Sequence, residues 1–337
     1  MVRIRVVLPM LAVLVCTWSP GVAAQTNPAC LGWYAFWFDY PALKGLFNCT
    51  GYPGTFVSQC NFWTPACAPP SAGAETCPGC ANGSAGSPIN LATGNTYIKE
   101  TDVRLAGLGG GLKLVRTWNS LWPPTQTATQ VGLFGPNWRS NFEERIFVGS
   151  DNYIKYARGD GSFWSFGFSG GFYAVAAPAN VSAILTEGVT YWTLTFQNGE
   201  QRTFDNTSGD LLTIADRNGN TTALTYDGIG RLTTVTDPAS RHLYFSYANG
   251  SSYLVTAVTS DFGVSVSYSY DTQGRLLQVT EPDSSTLNFQ YNSQSLITAV
   301  LDANNKILES HAYDSYGRGL TSSRANGVDA VTITYSQ

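Results

Sequence analysis

An aromatic residue that closes an alternating run and opens a polar turn recurs at Phe204, Tyr226, Tyr247, Tyr270, Tyr291, Tyr313 and Tyr335, always 21 to 23 residues apart. A fixed period of this length marks a stack of similar supersecondary units. Three units share more than spacing: Tyr226-Asp227-Gly228-Ile229-Gly230-Arg231-Leu232, Tyr270-Asp271-Thr272-Gln273-Gly274-Arg275-Leu276 and Tyr313-Asp314-Ser315-Tyr316-Gly317-Arg318-Gly319. Two continue to Val235-Thr236-Asp237-Pro238 and Val279-Thr280-Glu281-Pro282. The motif reads as a hairpin turn. Asp227, Asp271 and Asp314 can accept hydrogen bonds from amides two residues on, and Gly230, Gly274 and Gly317 supply the positive φ such a turn needs. Arg231 and Arg275 open the next strand, where we expect them to pair with a neighbouring unit's Asp. Stacked hairpins are expected to form one long sheet whose aromatic faces bury each other.

The upstream chain is also strand-like. Asn95–Leu105 and Leu112–Asn119 alternate apolar with polar around a Gly-rich turn, and Asp160-Gly161 and Asn198-Gly199 sit between alternating runs, which is the strongest short-range hairpin signal. The Gly107–Leu112 stretch is followed by a strand, whereas a dinucleotide-binding glycine loop needs a helix there. Only 12% of the 337 residues are charged against 13% aromatic, and there are 34 glycines. Disorder and helical bundles are therefore excluded, and the fold class is all-β: consecutive antiparallel hairpins in a spiralling repeat sheet, preceded by a small irregular module.

Arg3 and Arg5, the apolar run Val6–Val15 and the small residues ending at Ala24 read as a secretory signal peptide, with Cys16 lost on cleavage. Ten apolar residues are too few for a membrane span, and no later stretch is long enough, so the mature chain is expected to be exported and not membrane-spanning. Removing Arg3 and Arg5 leaves 17 bases against 23 acids with no run of like charges, which argues against nucleic-acid partners. Cys30, Cys49, Cys60, Cys67, Cys77 and Cys80 then crowd into one exported stretch, and are expected to form structural disulfides of undetermined connectivity. A redox reading of Cys77 and Cys80 needs a helix start, and a zinc reading needs a second ligand pair; the sequence offers neither. The expected organisation is a signal peptide (1–24), a disulfide module (25–80), a linker (81–88), a β domain (89–203) and repeats (204–337), the last incomplete.

The motif Y-D-x-x-G-R-L at this spacing resembles the YD repeat of Rhs-type proteins. Ser87–Tyr97, Leu114–Ser120 and Trp138-Arg139-Ser140 resemble the domain that commonly precedes those repeats, so the resemblance covers about 87–337. It implies a spiral β-sheet wall around a hollow, as in Rhs, teneurin and Tc-toxin shells, often holding a C-terminal toxin polypeptide. It also implies a self-cleaving Asp-Pro segment at the end of the shell. Here the chain ends at Tyr335-Ser336-Gln337, and Asp237-Pro238 lies inside a repeat, where it reads as a turn. The expectation is a front part of a longer or split protein whose partner is the remaining shell or a toxin polypeptide encoded downstream.

Only two histidines exist. Strand alternation puts His311 on the face of Tyr313 and His242 on the face opposite Tyr247, so they do not converge, and most Asp residues already have turn roles. We expect no catalytic residues, no cofactor and no metal, and hence no enzyme. The leading function is an exported structural shell that encapsulates or delivers a toxin. The alternative is a secreted carbohydrate-binding or adhesion module that meets cell-surface glycans through exposed aromatic residues.

Overall fold

The computed structural model describes residues 84–335 except 92, 122–131, 150–152, 170, 178–180 and 251, together with the backbones of two short strands near the N-terminus. Those strands, β1 (Asn48–Thr50) and β2 (Gln59–Asn61), pair antiparallel with Cys49 opposite Cys60. The expected signal peptide, the rest of the Cys-rich module and all six cysteine side chains lie outside the described residues.

A small module comes next. A hairpin of β3 (Ser84–Ala85) and β4 (Ile89–Asn90) is followed by a three-stranded sheet of β5 (Tyr97–Leu105), β6 (Leu112–Asn119) and β7 (Trp138–Ser140). The described part of the expected linker is not free: Ser87 is buried against the far end of the chain, its amide donating to Ser322 Oγ at 3.0 Å and its hydroxyl to Glu309 at 2.9 Å. The Gly-rich turn between β5 and β6 is packed as well, since a Cβ on Gly107 would lie 2.2 Å from Arg241 Nη2.

The remaining nineteen strands form one antiparallel sheet in sequence order. Its first part is β8 (Arg145–Val148), β9 (Ile154–Ala157), β10 (Phe163–Ser169), β11 (Phe172–Ala177), β12 (Ala183–Glu187), β13 (Tyr191–Phe196) and β14 (Gln201–Asp205). The repeats supply β15 (Leu211–Ala215), β16 (Thr221–Tyr226), β17 (Leu232–Thr236), β18 (His242–Tyr247), β19 (Val255–Ser260), β20 (Ser265–Tyr270) and β21 (Leu276–Thr280). The series ends with β22 (Thr286–Tyr291), β23 (Ile297–Leu301), β24 (Ile307–Tyr313), β25 (Gly319–Arg324) and β26 (Val331–Thr332). The continuous sheet thus begins about 60 residues before Phe204. It turns back on itself where Arg145 bridges Asp210 and the Ile146 amide donates to the Gly209 carbonyl at 2.9 Å. Gly209 has φ 76°, and a Cβ there would lie 1.9 Å from the Ile146 carbonyl oxygen, so only glycine permits this closure.

The inward residues of the repeats lie opposite one another across the strands, as Leu224 and Val235, Phe245 and Val258, and Tyr268 and Val279 do, and they share one core with the module. Edge-on ring contacts join Phe134 to Tyr268 (4.9 Å), Trp138 to Phe289 (5.3 Å), Trp118 to Tyr313 (6.4 Å) and Phe142 to Phe245 (6.5 Å). A sheet with one apolar face must cover it, and here the chain's own N-terminal strands do so. The buried residues of the module and of the repeats thus form one hydrophobic core among the described residues.

The turns recur at half the sequence period. At Asp216, Asp227, Asp237, Asp271, Glu281, Asn292, Asp302 and Asp314 the amide donates to the carbonyl four residues on and the amide three residues on donates back, and the Ser260 amide likewise donates to the Val264 carbonyl. The residue three on is left-handed throughout: Gly219, Gly230, Ser240, Gly263, Gly274, Ser284, Ser295, Asn305 and Gly317. An L-residue there costs more than glycine, partly offset by glycine's greater chain entropy. Ser284→Gly is thus expected to stabilise the protein by about 0.5 kcal/mol in urea unfolding, and destabilisation would show that the Ser284 conformation is not strained.

Candidate functional site

The repeat motif builds one structure three times. Asp227 Oδ1 accepts from the amides of Ile229 (3.0 Å) and Arg231 (3.0 Å), and Oδ2 from Arg231 Nε at 2.7 Å. Asp271 and Asp314 do the same, with Arg275 Nε and Arg318 Nε at 2.6 Å. The Arg therefore pairs within its own turn, four residues after the Asp. This corrects the expected pairing with a neighbouring unit's Asp: a turn that reverses in four residues brings its own ends together. The contact between units runs to an aromatic ring instead. Arg231 lies over Tyr247 (4.6 Å), Arg275 over Tyr291 (4.8 Å) and Arg318 over Tyr335 (4.1 Å). Tyr226, Tyr270 and Tyr313 each sit at a shift in strand register and donate to the carbonyls of Leu211, Val255 and Ile297 at 2.6–2.7 Å. The Arg231 amide, then the other turn donors, hold the Asp227 carboxyl below its usual range. Asp237, beside Pro238, accepts from the Ala239 and Arg241 amides and from the Arg241 guanidinium, which makes it a turn carboxylate.

The densest buried chemistry lies at the seam between module and sheet. Thr101 pairs with Val115 and Val103 with Leu114, leaving Asp102 as the extra residue of a β-bulge. The bulge lets Asp102 and Val103 both face inward. Asp102 Oδ1 accepts from Arg116 Nη2 at 2.8 Å, and Oδ2 from Tyr268 Oη at 2.6 Å. The Arg116 and Asp102 side chains are fully buried. The guanidinium is sandwiched by Trp138 (4.7 Å), Tyr268 (5.4 Å) and Phe134 (5.5 Å). Burial works against its charge, but the Asp102 carboxylate outweighs this and raises its pKa. Sequence reasoning missed this pair; the signal was a charged residue, Arg116, in the middle of the apolar strand Leu112–Asn119.

Two further acids face the seam. Burial pushes Glu100 up to about 7, with Glu309 and Asp102 adding to it and Arg116 opposing. Burial likewise pushes Glu281 to about 7, with Asp102, Glu100 and Asp283 adding to it and Arg116 opposing. The folded protein therefore keeps protons that the unfolded chain releases near pH 4.5, so stability falls as pH rises from about 4.5 to about 7 and then levels off. Urea midpoints measured across that range should decline, and Glu281→Gln should flatten the decline; a flat wild-type profile would contradict the seam's burial.

Among the described residues, the two histidines meet carboxylates: His242 meets Asp261 and His311 lies beside Glu309. Glu309 accepts from Ser87 Oγ on one side while His311 Nε2 lies 3.6 Å away on the other, so the carboxylate separates serine from histidine. His311 is buried beside Tyr313, whereas His242 lies on the opposite face, paired with Asp261 at 2.7 Å and stacked on Tyr244. A cleft of about 720 Å³ opens between Leu133 and Phe142 of the N-terminal part and Tyr226, Leu232 and Tyr253 of the repeats. Its charges are paired: Arg139 with Glu143 (3.5 Å) and Arg145 with Asp210 (3.9 Å) inside the cleft, and Glu144 with Arg202 (3.4 Å) and the Tyr156 hydroxyl (2.6 Å) behind it. Among the described residues no group of three or more His, Cys, Asp or Glu is placed to hold a metal ion, and no helix is long and apolar enough to cross a membrane.

A sequentially wound antiparallel sheet, with Tyr-Asp turns and Arg–Tyr stacking between units, defines a YD-repeat protein. Residues 206–242, 254–286 and 270–307 match the family model described as RHS Repeat, and residues 86–166 match one described as Domain of unknown function (DUF6531). The chain belongs to the Rhs/YD-repeat family. Over 146 residues, 43% of its length, it is 31% identical to the tRNA3(Ser)-specific nuclease WapA of Bacillus spizizenii and 30% identical to the tRNA nuclease WapA of Bacillus subtilis strain 168. It spans about 6% of the length of these relatives. Among solved structures, the Photorhabdus luminescens Tc holotoxin pore aligns with TM-score 0.29 and 14% identity, covering 56% of this chain and 12% of that one. A match of that strength says nothing further about this chain.

Proposed function

We propose that the chain is the non-catalytic leading part of an exported Rhs shell that scaffolds or delivers a toxin polypeptide. The observation that carries this reading is the filled inner face of the repeat sheet, where the module occupies the space a wall would otherwise enclose. A solid block of this kind suits the sealed beginning of a spiral, and further repeats or a partner polypeptide supply the hollow. The turn carboxylates are committed to turn hydrogen bonds, and Trp118, Trp138, Trp164 and Trp192 are buried, so the described residues spend their chemistry on architecture. The nuclease activity named for the WapA relatives is read as residing outside the shared 146 residues. The 1–24 segment directs the chain out of the cell, to be secreted or held at its surface.

The full chain is expected to form a stable complex with the polypeptide encoded immediately downstream and to protect it from trypsin. Failure to bind that polypeptide when the two are co-expressed would overturn the shell reading. Total tRNA incubated with the chain should stay intact, and cleavage would overturn its non-catalytic role.

A further inference from the structure

The strands run back and forth in sequence order, so the tips that follow β10, β12 and β14 share one end of the sheet. Two neighbouring tips there are apolar: β10–β11 presents Phe168 and Phe172, and β12–β13 presents Val189 and Tyr191. Along β10 the inward residues Trp164 and Phe166 are buried, but Phe168, the next on that face, is 66% exposed, so the hairpin runs past the core. Val189 is 96% exposed. Exposed apolar residues scattered singly need no explanation, whereas a cluster marks a contact surface. Between Gly161 and Gly199 the sequence holds one charged residue, Glu187.

These tips are held in place. The Gly188 amide donates to the Tyr191 carbonyl at 2.8 Å, and Asn206 of the next tip clamps the turn, its amide donating to the Thr190 carbonyl at 3.0 Å and its side chain to the Gly188 carbonyl at 3.2 Å. Phe168 packs edge-on to Tyr173 at 5.0 Å, and Tyr173 edge-on to the buried Trp192 at 5.5 Å. The apolar groups are thus fixed before anything binds, which lowers the ordering cost of binding. The first tip is apolar on both faces: Phe168 lies opposite Tyr173 on the inward face, and Phe172, one position on, takes the outward face. Open space surrounds it, since a Cβ on Gly171 would meet nothing within 4 Å.

We propose that these two tips dip into the surface of a lipid bilayer with zwitterionic headgroups, attaching the chain to a membrane without spanning it. A flat protein partner covers one face of a hairpin; an apolar phase covers Phe168, Phe172 and Val189 at once. Tyr191 suits the headgroup boundary, where an apolar ring and a hydroxyl are both satisfied. Glu187, at the foot of the second tip, stays among the headgroups. With no cation between Gly161 and Gly199, the attraction is apolar and needs no anionic lipid. This inference is independent of the shell reading.

The test floats the full chain with phosphatidylcholine vesicles, and with vesicles that also carry phosphatidylglycerol. The chain should rise equally with both, and high salt should not release it. Phe168→Ser and Val189→Ser should each weaken vesicle binding about tenfold with unchanged thermal unfolding, because each removes one apolar side chain from the lipid. These variants separate the tips from any attachment made by the apolar run Val6–Val15. Val328→Ser, at an exposed site on the opposite end of the sheet, should leave binding unchanged. Absence of flotation, flotation that requires phosphatidylglycerol, insensitivity to both tip variants, or an equal loss with Val328→Ser would overturn the proposal. So would self-association of the chain that Val189→Ser abolishes, because a second copy would then cover the tips.

Discussion

Arg116→Met is expected to cost about 3–5 kcal/mol in urea unfolding, a large part of the total stability of an ordinary domain. The substitution leaves a hydrophobic side chain of similar length against Trp138, Phe134 and Tyr268, so the apolar contacts are largely kept. What is lost is, among the described residues, the only cation within hydrogen-bond reach of Asp102, a fully buried carboxylate whose remaining described partner is the Tyr268 hydroxyl. An unpaired buried charge is far more costly than a missing pair. The double variant Asp102→Leu with Arg116→Met should therefore recover most of the loss, as replacing a buried pair by packed hydrophobes is often neutral or stabilising. If Arg116→Met costs under about 1 kcal/mol, the pair is reached by solvent and the seam is open.

Trp138→Ala is expected to cost about 3–5 kcal/mol by the same assay. Trp138 is among the largest fully buried side chains, packed edge-on to Phe289 of the sheet and face-on to the Arg116 guanidinium. Its removal opens a cavity between module and sheet and strips one wall from the buried cation. Trp138→Phe retains a ring in the same place and should cost markedly less. Equal losses for both variants would mean that the indole's full volume is required, with no plasticity at the seam.

Local chemistry was legible in the sequence and non-local chemistry was not. The spacing of Phe204, Tyr226, Tyr247, Tyr270, Tyr291, Tyr313 and Tyr335 announced stacked strands, because a turn and the residue that ends a strand are defined within a few positions. The half-period was present too, in Asp216 with Gly219 and Ser260 with Gly263, but the intervening turns use Ser240, Ser284 and Asn305 at the left-handed position and so hide the repetition. The Arg–Tyr stacking between units could not be read from the motif, since Arg231 and Tyr247 are brought together only by the intervening strands. The seam was hidden for two reasons. A bulge at Asp102 breaks the alternation that strand reading relies on, and the partner of Asp102 across the seam, Tyr268, is 166 positions away. Treating the stretch around Ser87 as linker failed similarly, because Ser322 and Glu309, which bury it, lie more than 220 residues downstream.

The module and the repeat sheet share one hydrophobic core, and hydrogen exchange on the full chain, read by mass spectrometry, shows whether they open together. Amides of β5, β6 and β7 should be protected to the same degree as those of β18–β25 and should lose that protection together as denaturant is raised, and Arg116→Met should lower both sets equally. Rapid exchange in β5–β7 while β18–β25 remain protected would contradict the account, since the repeats would then stand with their inner face uncovered.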